Sequence, residues 1–67
     1  MTEDELRTVL KDNGGWSVSK KPVRHGHYLY AVRRNHGERE EIYLCALSKL
    51  VEKSEGDIVA RLSSASK

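Results

Sequence analysis

The chain has no phenylalanine and only one tryptophan, one proline, one methionine and one cysteine among its 67 residues, and aromatics make up 6% of it. Any core it builds is small and rests on Trp16, three tyrosines and the aliphatic side chains. A single domain of this length lies near the lower limit at which a chain holds itself together without disulfides or metal. Ligand sites typically need about 300 Å³ or more of enclosed space, which counts against an enzyme. Cys45 stands alone and cannot form an internal disulfide, so a reducing, cytoplasmic setting is expected. No apolar run approaches the roughly 18 residues of a membrane span, and no charged-then-apolar leader is present, so a soluble protein without a membrane partner is expected. Gly14, Gly15 and Gly26 match neither GxGxxG nor GxxxxGK[ST], which removes the sequence grounds for a nucleotide or other cofactor.

What is present centres on His27 to Leu47, where two alternating runs flank Asn35-His36-Gly37. This is the pattern of a β-hairpin, with Gly37 free to take the left-handed position of the turn. If Arg34 and Glu38 close the loop, Tyr30 faces Ile42, Tyr28 faces Leu44, and Arg33 faces Arg39. One face of the hairpin then carries Tyr28, Tyr30, Val32, Ile42, Leu44 and Ala46, and reads as core. The other carries Leu29, Arg33, Arg39, Glu41, Tyr43 and Cys45, and reads as a working surface. Two arginines set opposite each other repel unless Glu41 or an outside anion offsets them.

The flanking segments complete an α+β fold. Residues 1–13 read as a short helix or arm: Thr2 and Glu5 form a capping box, Leu6, Val9 and Leu10 make an apolar stripe, and Asn13-Gly14-Gly15 stops it. The sheet occupies 15–47, its first strand alternating Trp16 and Val18 with Ser17 and Ser19 up to Pro22. Ser48–Lys53 fits one helical turn or a loop that sends Leu50 and Val51 inward. A second helix over 54–63 starts at a Ser54/Asp57 cap and presents Ile58, Val59 and Leu62, with an unbroken helix from Ser48 as the alternative. A disordered tail is expected over 64–67. The expected architecture is a three-stranded antiparallel meander with the C-terminal helix packed on its aromatic face.

Charge is unevenly spread along this fold. Residues 1–15 set Arg7 and Lys11 against Glu3, Asp4, Glu5 and Asp12, a balance of −2. Residues 16–39 set Lys20, Lys21, Arg24, Arg33, Arg34 and Arg39 against Glu38 alone, a balance of +5, and residues 40–67 come to −1. A basic sheet between acidic flanks points to a polyanionic partner. Other chemistry has less to draw on. His36 lies about 26 Å from His27 along a strand rising 3.3 Å per residue, so the three histidines do not converge as metal ligands. Cys45 has His27 opposite it in the register above, but no orienting carboxamide or carboxylate and no oxyanion donor.

In the order in which they stand, GWSVSKKPV, HYLYAVRRNHGEREEIYL and SEGDIVARL resemble the small βββα modules of the arm-type integrase N-terminal and plant AP2-like kind. Those modules bind DNA through a three-stranded sheet, and the resemblance implies that Arg33, Arg39, Tyr43 and Lys21 face the bases. Glu40-Glu41 departs from that pattern. The expected function is non-catalytic nucleic-acid binding, with Lys20, Lys21, Arg24 and Arg34 on phosphates and Arg33, Arg39 and Tyr43 nearest the bases. The alternative is a small protein-interaction module, an adaptor, inhibitor or homodimer, suggested by Glu38, Glu40 and Glu41 beside the arginines and by an open sheet edge.

Overall fold

The computed structural model describes residues 1–65 and orders them as α1 (Glu3–Asp12), β1 (Ser17–Val23), β2 (Gly26–Asn35), β3 (Glu38–Ala46), a 3-10 helix (Leu47–Glu52) and α2 (Glu55–Ala65). The strands form an antiparallel meander in the order β1-β2-β3. Both helices lie against one face of it, where Leu6, Val9, Leu10, Trp16, Leu29, Ala31, Leu44, Cys45, Leu50, Ile58 and Leu62 close into one core.

The helix ends follow from their caps. Thr2 Oγ1 accepts from the Glu5 amide and Glu5 Oε1 accepts from the Thr2 amide, so two otherwise orphaned N–H groups are satisfied reciprocally. Ser54 and Asp57 make the same exchange ahead of α2. At the far end of α1, Gly15 and Trp16 donate back to Lys11 and Leu10. The chain then reverses through Gly14 and Gly15, both at positive φ. The first helix is thus a docked element, its whole apolar stripe buried. The connection after β3 is helical only as a 3-10 segment: Leu50 is buried, but Val51 is 74% exposed and does not turn inward as expected. Ser64 and Ala65, expected in a disordered tail, belong to α2, and Ser66 and Lys67 lie outside the described residues.

The hairpin departs from expectation in a way that decides which face is core. Its loop has two residues, His36 and Gly37, at φ +53° and +81°, and Asn35 pairs with Glu38. Two successive positive φ values suit the right-handed twist of the strands they join. The loop is one residue shorter than expected, so Ile42 pairs with Ala31 rather than Tyr30, and Glu40 with Arg33. A one-residue slip exchanges the faces of a strand. Leu29 and Ala31 are therefore completely buried, while Tyr28 and Tyr30 lie on the face without helices. Further along β3 a bulge leaves Leu44 without a partner, since Tyr30 pairs with Tyr43 and Leu29 with Cys45. The extra residue lets consecutive side chains, Leu44 and Cys45, both enter the core.

Gly14 is held by its surroundings as well as by its backbone. At φ +128° a Cβ there would lie 2.6 Å from Trp16 Nε1 and 2.8 Å from Arg33 Nη1. Gly14→Ala is expected to lower stability by about 1–3 kcal/mol through backbone strain, with the clash in addition. Gly15→Ala, at φ +68° with open space around it, is expected to cost roughly 1–2 kcal/mol. Thermal melts of the two variants check the ranking. No helix among the described residues is long and apolar enough to cross a membrane.

Candidate nucleic-acid interface

The face without helices gathers Ser17, Ser19 and Lys21 from β1, Tyr28, Tyr30, Val32 and Arg34 from β2, and Arg39, Glu41 and Tyr43 from β3, because side chains opposite one another in an antiparallel pair share a face. At its centre the Tyr43 ring meets Tyr28 and Tyr30 edge-to-face, with centroids 5.4 and 5.5 Å apart. Tyr28 and Tyr43 remain 39% exposed. Tyrosine tolerates this position because its ring buries apolar area against neighbours while its hydroxyl stays wet.

Cations frame the rings. Lys21 Nζ lies 4.6 Å from the Tyr30 centroid and 2.6 Å from Glu41 Oε1, and Arg39 Nη2 reaches Glu41 Oε2 at 3.2 Å. One carboxylate therefore holds two cations at a fixed spacing. The hydrogen bond from Lys21 holds the Glu41 carboxyl below its ordinary pKa, helped by the charges of Lys21 and Arg39. Arg34 stands directly opposite Arg39 and makes no ion pair among the described residues. The like-charge pair expected at Arg33/Arg39 is thus present one residue over, at Arg34/Arg39. At the β3 border, Arg61 of α2 donates through Nε to the Tyr43 carbonyl at 2.9 Å, its guanidinium 5.7 Å from the Tyr43 ring centre.

Of the seven residues expected to contact nucleic acid, the structure brings Lys21, Arg34, Arg39 and Tyr43 together on this surface. Arg24 sits apart, in the tight turn between β1 and β2. Lys20 and Arg33 are on the other side of the sheet. Lys20 is paired with Leu29 on the helix-bearing face, and its Nζ lies 2.9 Å from Glu3 Oε1 of α1. Arg33 covers the Trp16 ring at 4.1 Å, pairs through Nε with Glu40 at 2.8 Å and donates through Nη1 to the Gly14 carbonyl. Arg33 is a structural residue that closes the core over Trp16. Three residues of this region are absent from the sequence-based site. Tyr28 and Tyr30 are expected in the core, and join the open face once Leu29 and Ala31 are taken as the buried pair. Arg61 carries no local signal, since only tertiary packing sets it beside Tyr43.

Cys45 faces Leu29, and His27 faces Pro22, so the histidine expected opposite the thiol is elsewhere. Burial raises the Cys45 thiol above its ordinary pKa, which keeps it protonated and poorly nucleophilic near neutrality. Among the described residues no three histidine, cysteine, aspartate or glutamate side chains come together as a metal would require. No protein-family model, no curated protein and no solved structure matches this chain.

Proposed function

We propose that the domain binds nucleic acid without catalysing a reaction, through the tyrosine-bearing face of its sheet. The observation that carries this reading is the cluster of Tyr28, Tyr30 and Tyr43 on the face without helices, with Tyr28 and Tyr43 exposed, Lys21 against the Tyr30 ring, and Arg34 and Arg39 further along the same face. Aromatic rings offer stacking platforms to bases, and adjacent cations neutralise phosphates. Arg34 opposite Arg39 leaves a repulsion that a bound phosphate relieves.

The test is fluorescence anisotropy of labelled single-stranded and duplex oligonucleotides in a salt series. The three cations of this face alone give a logarithmic slope of about −2 for a single strand, so affinity is expected to fall by at least about 20-fold between about 50 and 200 mM salt. Absence of binding to either form, or binding indifferent to salt, refutes the reading.

The pairing of Lys21 and Arg39 by Glu41 favours a second reading, a protein-interaction module in which these charges are already internally satisfied. Its simplest form is a homodimer through the tyrosine face. Sedimentation decides that form, because a strict monomer at high concentration removes it.

A further inference from the structure

We infer that the bound nucleic acid is single-stranded and that its backbone leaves the tyrosine face across Tyr43 into a cleft beside β3, where Lys49, Lys53 and Arg61 hold its phosphates. This rests on the nucleic-acid reading above and adds the form of the ligand and a second contact region. The cleft is open to solvent, holds about 420 Å³ and is lined by β3 from Tyr43 to Ala46 and by Lys49, Lys53, Asp57, Ile58 and Arg61. Tyr43 joins it to the tyrosine cluster, because its ring meets Tyr28 and Tyr30 while its carbonyl accepts from Arg61 of the cleft.

Three cations meet one carboxylate here, and the carboxylate is engaged: Asp57 Oδ2 accepts from both the amide and the hydroxyl of Ser54. Lys49 has only Glu52, at 3.6 Å with both side chains about two-thirds exposed, a pairing that is worth little in water and yields to a phosphate. Arg61 spends Nε on the Tyr43 carbonyl and keeps its other N–H groups for a ligand. Beyond Lys53 the adjoining cleft is lined by Asp4, Glu5 and Glu55. These carboxylates repel phosphate and end the track, which places its footprint at the short end of the roughly 4–16 nucleotides occupied on single-strand-binding folds.

The course of the track selects the strand form. It turns from a sheet face around a strand edge within one small domain, whereas duplex DNA stays straight over a persistence length of about 150 base pairs. A single strand makes that turn, and only unpaired bases offer their faces to the tyrosines. An extended acidic peptide pairing with the β3 edge fits less well, because the Tyr43 carbonyl is already taken by Arg61.

The experiment compares the full chain with its Lys49→Gln/Lys53→Gln double variant, using a labelled oligothymidylate, a duplex of the same length and a polyglutamate peptide. Lys49 is exposed and Lys53 half-buried, and neither belongs to the core, so far-UV circular dichroism should be unchanged and the melting temperature nearly so. The wild type is expected to prefer the single strand. Removing two phosphate partners should lower the salt slope by about 1.4 and the single-strand affinity by on the order of tenfold. If the wild type binds the single strand and the double variant keeps its slope and affinity, the track is wrong while the sheet-face reading stands. Preference for duplex overturns the single-strand assignment, again without touching that reading. Tighter binding of polyglutamate, abolished in the double variant, gives the cleft to a peptide and overturns the track. Failure to bind any nucleic acid removes both.

Discussion

Leu29→Ala is expected to cost about 2–5 kcal/mol of folding free energy, as truncation of a buried leucine does. Tyr28→Ala, one residue away, is expected to cost about 1 kcal/mol, the worth of an edge-to-face aromatic contact at a wet site. Leu29 is fully buried in the core to which both helices contribute, opposite Cys45 at the bulged end of β3, whereas Tyr28 is 39% exposed and meets Tyr43. A domain of 67 residues has a total stability of roughly 3–10 kcal/mol at typical values per residue. The leucine variant should therefore lose a large share of its stability and show a much lower urea midpoint, and the tyrosine variant should fold with a slightly lower one. The reverse ranking would mean that the tyrosines form the core and that the working surface lies on the opposite side of the sheet.

That contrast also marks where the sequence stops being legible. The helices are readable because their signals are local: Thr2 with Glu5, Ser54 with Asp57, and apolar residues at helical spacing. β1 is readable because small serines alternate with Trp16 and Val18, so only one of its faces can be core. β2 offers no such asymmetry. Leu29-Ala31 and Tyr28-Tyr30-Val32 are both plausible buried sets, and the larger apolar area of the tyrosines favours the wrong one. The choice is made by His36, a residue with a Cβ at φ +53°, a conformation uncommon outside glycine. It shortens the loop by one residue and moves every partner along β3. The bulge at Leu44 then breaks strict alternation a second time, which no periodic pattern anticipates. Lys21, Arg39 and Tyr43 fall on the open face as expected because β1 and the turn-proximal half of β3 keep simple alternation. Arg33 does not, because it shares the face of Leu29 and Ala31, and Lys20 alternates with Lys21 onto the side of Val18, where the two meet Trp16, Gly14 and Glu3.

The two arginines that adjoin in sequence should separate cleanly in experiment. Neutralising the open face with Lys21→Gln, Arg34→Gln and Arg39→Gln removes three cations that have no part in the core. Single-strand affinity is expected to fall about 100-fold near 0.1 M salt, with the salt slope reduced by about 2, while the melting temperature shifts little. The ion pairs of Glu41 with Lys21 and Arg39, which these changes break, are exposed and contribute little to folding. Arg33→Gln should do the opposite. It takes the guanidinium off the Trp16 ring and leaves Glu40 and the Gly14 carbonyl without their donor. The expected loss is about 1–2 kcal/mol of stability from a stacked, partly desolvated cation, with the affinity of the folded fraction unchanged. Tyr43→Ala joins the first group in affinity, because one stacked base is worth about 1–3 kcal/mol of binding, but it also loses two edge-to-face contacts and so some stability. Measuring melting temperature and anisotropy on the triple variant and on Arg33→Gln yields two rankings that should be inverted relative to each other. If Arg33→Gln abolishes binding at a temperature where it is folded, and the triple variant binds as the wild type does, the ligand lies on the helix-bearing side. The tyrosine face would then be no more than a solvated surface.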